Sequence, residues 1–269
     1  MDIPALESTA REIRRDIVKM IGKSASGHPG GSLSIADILT ALYFSELNHD
    51  PANGDDPERD RFVLSKGHGV PAQYAAMAEA GYFDKSMLDT LRQFGSPLQG
   101  HPERGRMPGI EASTGSLGQG ISIGIGMALA ARMDGKSWRT YVLIGDGEAN
   151  EGQIWEAAMS AAHFGLGNLL VIMDCNGIQL DGFVKDILDM GDVAEKWRSF
   201  GWNTIVIDGH DMGQILDAFA AARKVTDRPS VIVANTVKGK GVSFMENNPG
   251  FHGVAPTPDE VETALAELA

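Results

Sequence analysis

Gly145-Asp146-Gly147-Glu148 and, thirty residues further on, Asn176-Gly177-Ile178 hold the residue types best suited to chemistry in this sequence. An Asp carboxylate and an Asn amide oxygen are hard oxygen donors of the kind that magnesium and calcium prefer. Gly147 has no side chain, so a phosphate can approach its backbone. A helix opening near Glu151 would direct unpaired N–H groups and its positive dipole end to the same place. Together these features describe a place for a metal-bound diphosphate. A lone Gly-Asp-Gly commonly makes an ordinary turn, and an aspartate at a strand end often only caps a helix. The second group, centred on Asn176, makes the pattern specific.

Four of the seven histidines, His28, His68, His101 and His252, lie in loops flanked by glycine or proline, where a polar side chain can point into a cleft. No His-x-x-x-His spacing or matching carboxylate makes them a zinc site. His49 and His210 sit in Asp-containing turns and His163 near a helix end, so these three are expected to be structural. Arg104 and Arg106, close to His101, are either contacts for a substrate phosphate or, the favoured reading, solvated loop arginines, and Cys175 reads as a small buried residue without chemistry.

The elements that must position these residues are legible from periodicity. Strands are expected over 61–65, 140–144, 169–174, 204–207 and 230–235. Helices are expected over 6–21, 34–46, 71–80, 119–132, 151–164, 193–200 and 212–223, with a last one opened by Thr257-Pro258-Asp259-Glu260. A glycine-rich turn covers 26–31, and 94–115 is a Gly- and Pro-rich loop. Alternation of this kind predicts an α/β fold, a parallel sheet with helices on both faces, in a single domain over residues 1–269. Ligands in such sheets sit at the carboxyl ends of the strands, which is where Asp146 and Asn176 fall.

Composition narrows the partners. With 23 Lys plus Arg against 36 Asp plus Glu, a net charge of −13 and no basic stretch, the chain is expected to bind neither nucleic acid nor an anionic membrane. A single cysteine and the lack of a signal-like start or a long apolar run point to the cytoplasm.

The pairing of Gly145-Asp146-Gly147 with Asn176 resembles the thiamine diphosphate motif. Further segments resemble the transketolase family: Ser26-Gly27-His28-Pro29-Gly30, Arg61-Phe62-Val63-Leu64-Ser65-Lys66-Gly67-His68, Gly100-His101-Pro102-Glu103 and Thr114-Gly115-Ser116-Leu117-Gly118-Gln119-Gly120. A fifth runs from Lys238-Gly239-Lys240-Gly241 to Phe251-His252-Gly253. The resemblance implies a thiamine diphosphate-binding fold with Mg2+ or Ca2+ held by Asp146, Asn176 and the Ile178 carbonyl. It places Gly147 on the diphosphate and Gly115, Ser116, Leu117, His68 and His252 against the cofactor. Ser116 stands where the family usually has proline. Glu151 is either a first-turn helix acid or a residue near the cofactor and the subunit interface.

The implied reaction moves a two-carbon ketol unit from a ketose phosphate to an aldose phosphate, pentose phosphates by default. The four histidines would be catalytic: His28 and His252 at the substrate oxygens, His101 at the donor end, His68 between diphosphate and substrate. In the family a second domain brings the glutamate that activates the cofactor and the cations that grip a sugar phosphate. Here that domain is expected from a separate C-terminal subunit in an α2β2 heterotetramer. A 2-oxoacid dehydrogenase, a 1-deoxyxylulose-phosphate synthase and a non-catalytic scaffold remain as alternatives.

Overall fold

A computed structural model describes all residues, Met1–Ala269. Its strands are Arg61–Leu64 (β1), Thr140–Gly145 (β2), Leu169–Cys175 (β3), Ile178–Gln179 (β4), Gly182–Phe183 (β5), Asn203–Asp208 (β6) and Ser230–Asn235 (β7). Five of them form one parallel sheet in the order β1-β2-β3-β7-β6, while β4 and β5 make a small antiparallel hairpin. β2 is buried at every position and β3 at all but its last, and each is built round an aliphatic run, Val142–Ile144 and Leu169–Ile172, because both faces of the sheet are covered.

Side chains alternate between the two faces. Leu143 and Ile172 join a core with α1 (Ile3–Ser24), α2 (Pro29–Leu33), α3 (Ala36–Ala41), α4 (Val70–Ala80), α9 (Met212–Arg223) and α10 (Pro258–Glu267). Val142 and Val171 face a second core with α5 (Gln119–Met133), α6 (Gly152–His163) and α8 (Val193–Ser199). One further short helix, α7 (Val184–Leu188), follows the hairpin. This is the expected parallel sheet with helices on both faces.

Local signals explain the helix ends. Asp2 caps α1 by accepting from the Ala5 N–H, and Thr257 with Glu260 forms the capping box expected for α10. The structure departs from the sequence reading in two places. Residues 34–46 are not one helix: α2 begins within the expected turn at Pro29, and α3 gives way to a π turn over Leu42–Glu46. That wider turn carries Tyr43 and Glu46 inward, where Glu46 accepts from the Tyr141 hydroxyl at 2.7 Å. The second is the β4–β5 hairpin with α7, which is too short to show a period.

Candidate functional site

The chain leaves the carboxyl ends of β1, β2, β3 and β7 at Lys66, Gly145–Glu148, Asn176–Ile178 and Lys238, and these segments enclose a cavity of about 350 Å³. His28, His68, His101 and His252 line it, as do Gly115, Leu117, Asp146, Gly147, Glu151, Asn176 and Ile178. Almost every expected site residue therefore meets in one place. Ser116 does not: it is exposed beside the cavity wall made by its neighbours.

At one end, Asp146 is held by two backbone donors, accepting from Gly147 N at 2.8 Å and Gly177 N at 2.6 Å. Burial, reinforced by Asp174, pushes its carboxyl up to about 6. The glycines here are required by close approach. A Cβ on Gly147 would sit 2.7 Å from Gln179 Cβ, and one on Gly115, at φ +136°, would sit 2.8 Å from the His101 ring. One carboxylate, one amide oxygen and one backbone carbonyl form a donor set that suits a small hard dication. No group of three or more His, Cys, Asp and Glu side chains is placed to hold a metal.

Two buried lysines complete the floor. Lys66 Nζ lies 2.5 Å from Asp174 Oδ2. Lys238 Nζ donates to the Ile178 carbonyl at 2.9 Å and to His252 Nδ1 at 2.7 Å. Burial, and then the charge of Lys66, pulls Lys238 down to about 8. Both ammonium groups are already engaged, Lys66 by the Asp174 carboxylate and Lys238 by the Ile178 carbonyl and His252, and both line the cavity. Glu148 ties the walls together: it accepts from Gly118 N at 2.9 Å, Gly145 N at 3.1 Å and the Ser65 hydroxyl. Sequence reasoning assigned no role to Lys66, Lys238, Glu148 or Asp174, although each lies inside or beside a quoted motif. The available signal was a charged residue bounded by glycine or by aliphatic strand, where solvation is unavailable.

The histidines form a cluster. Ring centroids of His28 are 5.3 Å from His68, 5.5 Å from His252 and 6.2 Å from His101, and His68 is 5.1 Å from His252. Burial, followed by nearby cations, lowers His28 to about 4 and His252 to about 3, and depresses His68 and His101 as well. All four are therefore neutral near pH 7. An ammonium only donates, so Lys238 fixes His252 Nδ1 as the acceptor and leaves the proton on Nε2. Arg92, at φ +58°, approaches His28 Nδ1 at 3.5 Å in the same sense.

The remaining histidines are structural. His49 stacks on Tyr82, His163 packs on Phe164, and His210 bridges Asp37 and Val237 N at 2.8 Å each. Arg104 is exposed, Arg106 pairs with Glu103, and burial raises the Cys175 thiol.

The profile described as "Transketolase, thiamine diphosphate binding domain" matches residues 6–268. The chain belongs to the transketolase family. It is 47% identical over 263 residues to the 6-deoxy-6-sulfo-D-fructose transketolase subunit SqwG of Clostridium sp. (strain MSTE9), covering 98% of this chain and 96% of that one. It is 45% identical to an apulose-4-phosphate transketolase subunit of Actinobacillus succinogenes, covering 98% and 95%. Against human transketolase identity is 35%, over 99% of this chain and 42% of that protein. Among solved structures, transketolase from Leishmania mexicana superposes with a TM-score of 0.92 at 33% identity, covering 98% of this chain and 41% of that one. This transketolase chain thus matches proteins named as subunits over nearly their whole length, and single-chain transketolases over less than half of theirs.

Proposed function

We propose that this transketolase chain binds the diphosphate half of thiamine diphosphate and works with a separate C-terminal subunit, in an α2β2 cytoplasmic enzyme, to move a two-carbon ketol unit between sugars bearing an anionic end group. The observation that carries this reading is the meeting of the Asp146–Asn176–Ile178 oxygen donors and four neutral histidines in one cavity. Asp146, Asn176 and the Ile178 carbonyl would hold Mg2+ or Ca2+. Gly147, Lys66 and Lys238 would face the diphosphate, and the Gly115–Ser116–Leu117 backbone the rest of the cofactor.

When bound, the thiazolium ring supplies the electron sink for breaking a carbon–carbon bond beside a carbonyl, which no side chain can do. The protein's part is to donate hydrogen bonds to the oxygens on which charge develops. His28 and His252 present Nε2–H groups to the substrate carbonyl and hydroxyl oxygens, where negative charge develops. His101 holds the donor end, and His68 separates diphosphate from substrate. With Nδ1 of His252 held by Lys238 and Nδ1 of His28 facing Arg92, these neutral rings serve as hydrogen-bond donors and not as proton acceptors.

Glu151 is exposed at the cavity rim, and Leu180 (66% exposed), Phe183 (45%), Ile187 (48%) and Leu188 (57%) present apolar surface on the segment that leaves the cavity. A second subunit docked there would bury these residues and close the cofactor site. Two similar relatives are named for apulose-4-phosphate and 6-deoxy-6-sulfo-D-fructose, which favours a specialised sugar over ordinary pentose phosphates.

The test is a coupled assay of the chain with thiamine diphosphate and Mg2+, alone and mixed with a C-terminal transketolase subunit from the same genome. Pentose phosphates, apulose 4-phosphate and 6-deoxy-6-sulfofructose are offered in turn. Activity is expected only in the mixture and is lost in Asp146→Ala. Full activity of the chain alone would overturn the two-chain reading. A stable pair inert toward every sugar would overturn the proposed reaction.

A further inference from the structure

We propose that Asp174 is a positioning residue: a wholly buried carboxylate outside the cavity lining that sets the orientation of the Asn176 amide and of the Lys66 ammonium. The inference rests on the reading of Asn176 as a cation ligand. Asp174 is 0% exposed on the central strand β3, registered with Gly145 of β2 and Ala234 of β7, so its backbone is fixed on both sides. Its Oδ2 accepts from Lys66 Nζ at 2.5 Å, Asn176 Nδ2 at 2.8 Å and Ser34 Oγ at 2.8 Å, and its Oδ1 accepts from the Thr236 hydroxyl. Four donors from four different parts of the chain converge on one side chain.

The orienting effect follows from hydrogen-bond sense. A carboxylate only accepts, so Asn176 must turn its NH2 towards Asp174. The opposite end of the same amide, Oδ1, accepts from Ile178 N at 3.1 Å. A flipped amide would set oxygen against oxygen and N–H against N–H, so one orientation survives. The amide oxygen is thereby kept beside residue 178, whose carbonyl is the third expected oxygen donor. The same carboxylate holds Lys66 over the cavity floor, and burial of both charges makes the pair dependent on each member.

Thr236 and Ser34 do not line the cavity, which makes them clean handles on Asp174. The experiment measures the dissociation constant for Mn2+ by electron paramagnetic resonance on the full chain with added thiamine diphosphate, alongside thermal unfolding. Partners that orient metal ligands typically change affinity by about 10- to 100-fold when removed. A drop in that range is expected for Asp174→Asn, with a several-fold drop for Thr236→Val. Thr236→Ser, which restores the hydroxyl and removes a methyl, is expected to bind Mn2+ like the parent. If Thr236 mattered only for packing, the valine variant would be benign and the serine variant harmful, and the proposal would fall. The valine and serine variants decide the matter even if Asp174→Asn does not fold. Asn176→Ala separates the two layers: parent-like Mn2+ affinity there would remove the cation reading itself. Weak binding in Asn176→Ala with parent-like binding in Asp174→Asn and Thr236→Val would overturn only the role of Asp174.

Discussion

The ammonium of Lys238 donates to the carbonyl oxygen of Ile178 across 2.9 Å. A lysine thus rests on one of the three oxygens expected to meet a cation, and its charge faces the place proposed for the diphosphate. Lys238→Met removes that cation while keeping most of the buried stem. One charge-assisted hydrogen bond is worth about 1.5–3 kcal/mol, or roughly 10- to 100-fold in affinity. Isothermal titration with thiamine diphosphate at fixed Mg2+ should show a loss of that size and a weaker dependence on salt. Unchanged affinity would place Lys238 outside the diphosphate site.

The histidine cluster makes stability depend on pH in a defined direction. Folded His28 and His252 titrate at about 4 and about 3, whereas unfolded histidines titrate at ~6.5. Below that value the unfolded chain binds more protons than the folded one, so stability falls as pH drops from about 6.5 toward 4. Melting temperatures measured between pH 7.5 and 4.5 should decline in the parent and decline less steeply in a His28→Asn, His252→Asn double variant. Parallel curves would show that these rings are not buried neutral.

Gly67 lies where the turn after β1 passes beneath the loop at 114–117. A Cβ there would meet Thr114 Oγ1 at 2.7 Å and the backbone at Thr114 C and Gly115 N at 2.8 Å. Backbone cannot yield as a flexible side-chain tip can. Gly67→Ala is expected to destabilise the chain by about 1–3 kcal/mol in urea unfolding, and to weaken thiamine diphosphate binding because Gly115 and Leu117 move with the loop. Ala at Gly126, an exposed position inside α5 with nothing within 4 Å, is the matched control: it should stabilise the chain slightly, by about 0.5–1 kcal/mol, and leave thiamine diphosphate binding unchanged.

Phe183 is 45% exposed on β5 and Leu180 is 66% exposed in the turn before it. Placing a charge there leaves the core untouched. In Leu180→Asp and Phe183→Asp the chain should melt as the parent does, yet associate ~10-fold or more weakly with a C-terminal subunit in sedimentation or titration. Parent-like association would move the docking surface elsewhere.

Several features of this protein were decided by the sequence alone. Strands such as Leu169–Cys175 announce themselves through the aliphatic run Leu169–Ile172 that burial on both faces favours, and Thr257 with Glu260 marks a helix start within four residues. The Asp146–Asn176 pairing was legible for the same reason: it needs only two neighbouring strands and their ends. The break at 34–46 was not, because the π turn answers to Tyr141, a partner 95 residues from Glu46. Tertiary structure alone decided that His28, His68, His101 and His252 would be neutral, since their shifts come from burial and from Lys66, Lys238 and Arg92 on other segments. It also decided that Asp174, on paper the last polar residue of a strand, would become the acceptor for four donors. Local periodicity reports which face a residue takes. Charge and hydrogen-bond sense are set by neighbours that only folding brings within 3 Å.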